Sequence, residues 1–127
     1  MAQHWIWLSA EVAAAAHGEQ LAEHGGPAGL RDAGALDSAM MRPRNLAGYG
    51  EPDAAALAAA YAFGIARNHP FVDGNKRTAA VMMETLLTLN GHALTASDAE
   101  LVVAVLALAA GDLSEDELAD WLRGHLA

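Results

Sequence analysis

Between Asn75 and Leu89 the sequence NKRTAAVMMETLLTL reads as one helix whose body is nearly free of charge, with Val81, Met82, Met83, Leu86 and Leu87 around much of its circumference. A helix that is apolar on all sides has to be enclosed by others. Whatever this chain folds into, that segment therefore belongs at its centre. The stretch joined to its N-terminal end, His69-Pro70-Phe71-Val72-Asp73-Gly74-Asn75-Lys76-Arg77-Thr78, inherits the rigid support that precise side-chain geometry requires.

The surrounding segments are also helical in pattern. A hydrophobic fraction of 54% with only 6% aromatic residues makes a core of Ala, Leu and Val, which favours closely packed helices. Asp53, after Pro52, is an N-cap for a helix over Ala54 to Asn68, with Leu57, Tyr61, Gly64 and Ile65 on one stripe. Ser9 caps a helix from Ala10 to about Glu23 that turns Val12, Ala13, Ala16 and Leu21 inward and stops at Gly25-Gly26-Pro27. Asn90-Gly91 ends the central helix. Ser97-Asp98-Ala99-Glu100 and Ser114-Glu115-Asp116-Glu117 are capping boxes. The first starts a helix to about Ala110 and the second a last helix with Leu118, Trp121 and Leu122 inward. His4 to Leu8 reads as a small strand or an extended lead-in, and Gly25 to Pro52 as irregular chain with one short helix over Gly34 to Met41 after Asp32. The predicted fold class is all-α: a single-domain helical bundle, residues 1–127, of about five to six helices with at most a short strand or hairpin flap.

Composition narrows the function. The net charge of −9 and only seven Lys and Arg residues argue against nucleic acid as a direct partner. Two of those cations lie in the central stretch, and Arg31, Arg42 and Arg44 precede it, so positive charge is expected to gather near one cleft of an acidic body, as suits a small polyanion. The absence of Cys agrees with a reducing cytoplasm. No segment has the pattern of a signal peptide, and the longest apolar run, Leu101 to Ala110, is too short for a bilayer.

The chemistry gathers in the central stretch. Pro70 is expected to hold His69 extended and so end the preceding helix, while Gly74 admits the positive φ of a tight turn into the next one. The backbone N–H groups of Gly74, Asn75 and Lys76 then become free donors at a helix N-terminus, where an anion is favoured. Lys76 and Arg77 oppose the helix dipole there unless an anion is present. Asp73 offers an oxygen to Mg²⁺ whose other ligands are a nucleotide's phosphates, and His69 is the candidate proton acceptor. Phe71 reads as an anchor of the loop in the core. His17 and His24 share a helix face seven residues apart, which falls short of a metal site.

The pattern H-x-F-x-[DE]-G-N-x-R is the signature of the Fic-fold family, and HPFVDGNKRT resembles its death-on-curing (Doc) branch, in which Lys replaces the second glycine. WLSAEVAAAAHGEQLAEHGGPAGLRDAGALDSAMMRPRN, AFGIARNHPF and LNG resemble that branch too, so the likeness covers roughly residues 5–91. The resemblance implies that His69 is the base that accepts a proton from a target hydroxyl, Asp73 the Mg²⁺ ligand, Gly74 and Asn75 the phosphate nest, and Arg77 the neutralising cation. It implies a flap beside the active site, for which residues Arg44 to Gly50 are the candidate. For the branch it implies a kinase, with Lys76 in place of glycine inverting the nucleotide so that the γ-phosphate of ATP passes to a threonine of elongation factor Tu and stops translation.

Departures from the pattern point both ways. Adenylate-transferring members carry a second Arg where this chain has Ala80, which favours kinase activity; the best-known member of the Doc branch has Ala where this chain has Gly74, which favours the adenylating pattern. The self-inhibiting Ser/Thr-x-x-x-Glu helix of other members has no counterpart here, so the resemblance implies a separate cognate antitoxin. A protein adenylyltransferase and an inactive binding module are the alternative functions.

Overall fold

Asp53 opens helix α3 (Ala54–Asn68): its Oδ1 accepts the Ala56 N–H at 2.9 Å, satisfying one of the donors that a helix start leaves unpaired. From Ala54 to Ala66 only Ala56 and Phe63 escape full burial. The computed structural model describes residues 4–127. In these, α3 packs most extensively on α4 (Asn75–Leu89) and α2 (Ala33–Tyr49), and α1 (Ala10–His24), α5 (Asp98–Ala110) and α6 (Glu115–Arg123) complete an all-α bundle of six helices. The expected central helix, α4, is buried through Met82, Met83, Leu86 and Leu87, yet α3 is enclosed further round. The reason is its alanines, whose small side chains let neighbours approach from every side. At Gly64 the approach is closest: a Cβ there would stand 2.9 Å from both Cα and Cβ of Ala39 on α2.

The largest departure from the sequence reading is α2. Expected to be short, it runs through Pro43 to Tyr49, so the candidate flap Arg44 to Gly50 is helix up to Tyr49, with Gly50 as its C-cap. An interior proline costs about 3 kcal/mol by removing a backbone N–H and crowding the preceding turn. Here Leu36, Ala39, Met40 and Pro43 form one buried stripe against the bundle, and burial of that face carries the helix through. The irregular chain that remains is Gly25 to Asp32.

Helix α1 begins at Ser9, whose side chain accepts the Val12 N–H, but its buried face is Ala13, Ala16 and His17 rather than one containing Val12, which is exposed. The lead-in forms no strand. Leu8 is held by its N–H to Tyr61 Oη at 2.9 Å, and Ile6 by a pair of bonds with Asn90. Burial pushes the Tyr61 phenol pKa upward. Both capping boxes are present; Leu118 and Leu122 are buried, while Trp121 is half-buried against His125. Extended pairing among the described residues is confined to isolated bridges, Leu30 with Phe71 and Leu94 with Leu126. No helix in this range is long and apolar enough to cross a membrane.

Asp53 also ties the start of α3 to the end of α6, because Arg123 donates to its Oδ2 at 2.6 Å and to its Oδ1 at 3.0 Å. The Arg123 guanidinium holds the Asp53 carboxyl below the usual carboxylate range, and the Ala56 N–H adds to the effect. A lowered folded-state pKa stabilises above the unfolded value of about 3.9, and that contribution is lost as pH falls through the folded value. The pair is half-exposed, so the cap rather than the ion pair dominates. Asp53→Ala is expected to lower stability by about 1 kcal/mol at neutral pH, with the gap from the parent closing in acid. Urea unfolding at pH 7 and at pH 3 measures this; an equal gap at both values counts against it.

Candidate active site

Helix α3 ends on a left-handed residue. His69 has φ 49° and ψ 57°, and its N–H closes the last turn on Ile65 O at 3.2 Å. The extended conformation expected ahead of Pro70 is therefore not the one adopted. A residue before proline is disfavoured in the right-handed helical region, and the left-handed region satisfies that restriction while completing the C-cap. Arg31 fixes this turn from outside, its guanidinium donating to His69 O at 2.5 Å and to Asn68 O at 2.7 Å. Pro70 O in turn accepts the N–H groups of Arg31 and Asp32, and Val72 N–H donates to Gly29 O at 3.0 Å. The segment Gly29 to Asp32 thus clamps the loop along its length.

The next residues are tied down from within. Phe71 is buried, and the Asn75 side chain reaches back to it, accepting its N–H at 3.0 Å and donating to its C=O at 2.9 Å. This occupies the Asn75 amide and leaves its backbone N–H for other partners. Gly74 takes φ 77°, and the first bond into α4 is Thr78 N–H to Gly74 O at 3.0 Å. Ahead of it, the N–H groups of Gly74, Asn75, Lys76 and Arg77 find no partner among the described residues. Lys76 and Arg77 are exposed at the same helix start, without an ion pair among the described residues. Free donors and uncompensated cations together make this end of α4 strongly attractive to an anion.

His69, Asp73, Gly74, Asn75, Lys76 and Arg77 all line one cavity of about 510 Å³, closed on the far side by Val102 and Leu106 of α5. A second cavity of about 500 Å³ adjoins it at Arg77 and is lined by Ala80 and Glu84. Burial, with Asp98 adding to it, pushes the Glu84 carboxyl above its usual range. The expected gathering of Arg42 and Arg44 at the cleft does not occur. Arg42 stacks on Phe63 at 4.3 Å and pairs with Glu115, and Arg44 lies over Trp7 at 5.2 Å; aromatic faces beside α2 hold both. Arg31 is the one of the three that reaches the motif loop.

Contacts that were not foreseen come from α1 and the segment after it. His17 Nε2 lies 2.7 Å from Asp73 O, and its ring stacks on Phe71. Gly26, at φ 115°, lies so near Asp73 that a Cβ would stand 2.6 Å from Oδ2, so only glycine leaves that carboxylate in place. Among the described residues no three His, Cys, Asp or Glu side chains gather as a metal cage. The single exposed carboxylate of Asp73 fits a Mg²⁺ ion that takes most of its ligands from phosphates and water.

Residues 7–87 match the model of the Fic/DOC family. A curated relative, Toxin Doc of Mycolicibacterium smegmatis, is 45% identical over 75 residues, covering 57% of this chain and 57% of that protein's length. Another, Protein kinase doc of Escherichia phage P1, is 32% identical over 118 residues, covering 91% of this chain and 92% of its own.

Proposed function

The chain belongs to the Fic/DOC family, and on that footing we propose that it is the toxin of a toxin–antitoxin pair, a protein kinase that moves the γ-phosphate of ATP to a hydroxyl of a translation factor such as elongation factor Tu. The observation that carries this reading is the meeting, in one cavity, of an exposed His69 with N–H groups and cations at the start of α4 that have no partner among the described residues.

Phosphoryl transfer asks the protein for position and charge neutralisation more than for covalent chemistry. In the proposed step the hydroxyl oxygen forms a bond to the γ-phosphorus, the bond from that phosphorus to the bridging β–γ oxygen breaks, ADP leaves, and the hydroxyl proton passes to His69. The N–H groups of Gly74 and Asn75 hold phosphate oxygens, and Lys76 and Arg77 offset the charge that moves toward the leaving oxygen. Asp73 would hold Mg²⁺, which when bound neutralises phosphate charge. The carbonyl bonds from Arg31 keep the backbone of His69 fixed while its ring takes up the proton.

The second reading, transfer of AMP, rests on Gly74. A Cβ at that position would meet His17 at 3.6 Å, an ordinary contact, so glycine is favoured by φ 77° rather than by crowding. That weakens the case for AMP transfer. Lys76 and the absence of a second Arg at Ala80 support the kinase. Incubating the protein with Mg²⁺, purified elongation factor Tu and ATP labelled at either the α- or the γ-phosphate decides between them. Label from the γ position is expected; label from the α position would identify an adenylyltransferase, and none from either, with a whole cell extract in place of elongation factor Tu as well, a binding module. Lys76→Gly is expected to lower γ-transfer by about tenfold or more, and undiminished transfer would place the control of nucleotide orientation elsewhere. The antitoxin is expected to cover the cleft beside Gly25 to Asp32, the irregular segment that clamps the motif loop.

A further inference from the structure

His17 is buried in α1, and the proposed transfer assigns it no role. Its Nε2 is 2.7 Å from the Asp73 carbonyl oxygen. A carbonyl can only accept, so Nε2 carries the proton and donates. The ring lies flat on Phe71, with centroids 3.9 Å apart and planes 6° from parallel. One imidazole therefore grips the motif loop through both a hydrogen bond and a stacked face.

What the grip fixes follows from peptide geometry. The Asp73–Gly74 bond is trans, and in a planar trans peptide the C=O and the following N–H point in opposite directions. With the Asp73 carbonyl drawn toward His17, the Gly74 N–H is directed away from it, and it has no partner among the described residues. Glycine restrains the neighbouring plane less than any other residue. Turned over, that plane would present the Asp73 carbonyl, a negative dipole end, where phosphate oxygens are to be held.

We infer that His17 is a positioning residue that locks the Asp73–Gly74 peptide plane and thereby keeps the Gly74 N–H available to a nucleotide's phosphates. This rests on the nucleotide-binding reading of the cleft. The test uses the full chain labelled with ¹⁵N and titrated with ATP. In the parent protein the Gly74 amide resonance is expected to shift on ATP addition. His17→Phe keeps the ring on Phe71 but removes the donor; it is expected to lose that shift and to bind ATP about tenfold more weakly, the scale of one hydrogen bond to a charged group. His17→Gln, which restores an N–H donor, is expected to recover most of the shift. A parent protein whose Gly74 amide ignores ATP overturns the nucleotide reading and this inference with it. A responsive parent with an equally responsive His17→Phe variant overturns the inference alone. Should that variant fail to fold, the imidazole ¹⁵N spectrum of the parent decides: a proton on Nε2 is required, and a proton on Nδ1 alone overturns the proposal.

Discussion

Replacing His69 with alanine is expected to slow phosphoryl transfer by about 10²- to 10⁴-fold, the usual contribution of a positioned proton acceptor, and to relieve growth arrest in cells that express the chain. The fold should survive. The His69 side chain is exposed, and the bonds that hold the turn run through its backbone: N–H to Ile65 O, and carbonyl to Arg31. Alanine keeps every one of them, so the stability cost should stay within about 1 kcal/mol. Labelled-phosphate transfer and urea unfolding on the same preparation separate the two effects. Undiminished transfer in a folded variant would mean that the proton leaves by another route.

Gly64→Ala should produce a large loss of stability. The new Cβ would enter to 2.9 Å of both Cα and Cβ of Ala39 and 3.3 Å of its carbonyl oxygen, and most of what it meets is backbone that cannot swing aside. Either α2 separates from α3 or both helices bend. Overpacking of this kind costs about 3 kcal/mol, which in a domain of this size lowers Tm by about 10 °C. A calorimetric scan measures it, and a shift within about 2 °C would show that the two helices have slack there.

Helix starts were legible in the sequence because their causes are local. Ser9, Asp32, Asp53, Ser97 and Ser114 each accept an N–H three residues on, a relation that needs no knowledge of the rest of the fold. The grouping of His69, Asp73 and Lys76 was legible for the same reason, since one loop and one helix turn carry them all. The length of α2 was not. Pro43 argues locally for a break, and only packing against α3 overrules it. The inward face of α1 was misread by one position at Val12. His17 was the price of pairing it with His24: a histidine at i+4 from Ala13 on an apolar face has to find a buried partner, and that partner, the Asp73 carbonyl, is 56 residues away. Arg42 and Arg44 were assigned to the cleft by sequence proximity, whereas Phe63 and Trp7 decide their positions.

The α5 wall of the cleft has a bearing on when the pocket is complete. Val102 and Leu106 close the cavity from α5, whereas His69 to Arg77 precede them in the chain by a whole helix and its connection. During synthesis the motif leaves the ribosome before the wall against which a nucleotide would be enclosed. A chain stopped ahead of Asp98 holds the full set of motif side chains and a pocket that lacks its α5 residues. For a protein proposed to disable translation, this order of assembly places the completion of the pocket after the motif, at α5.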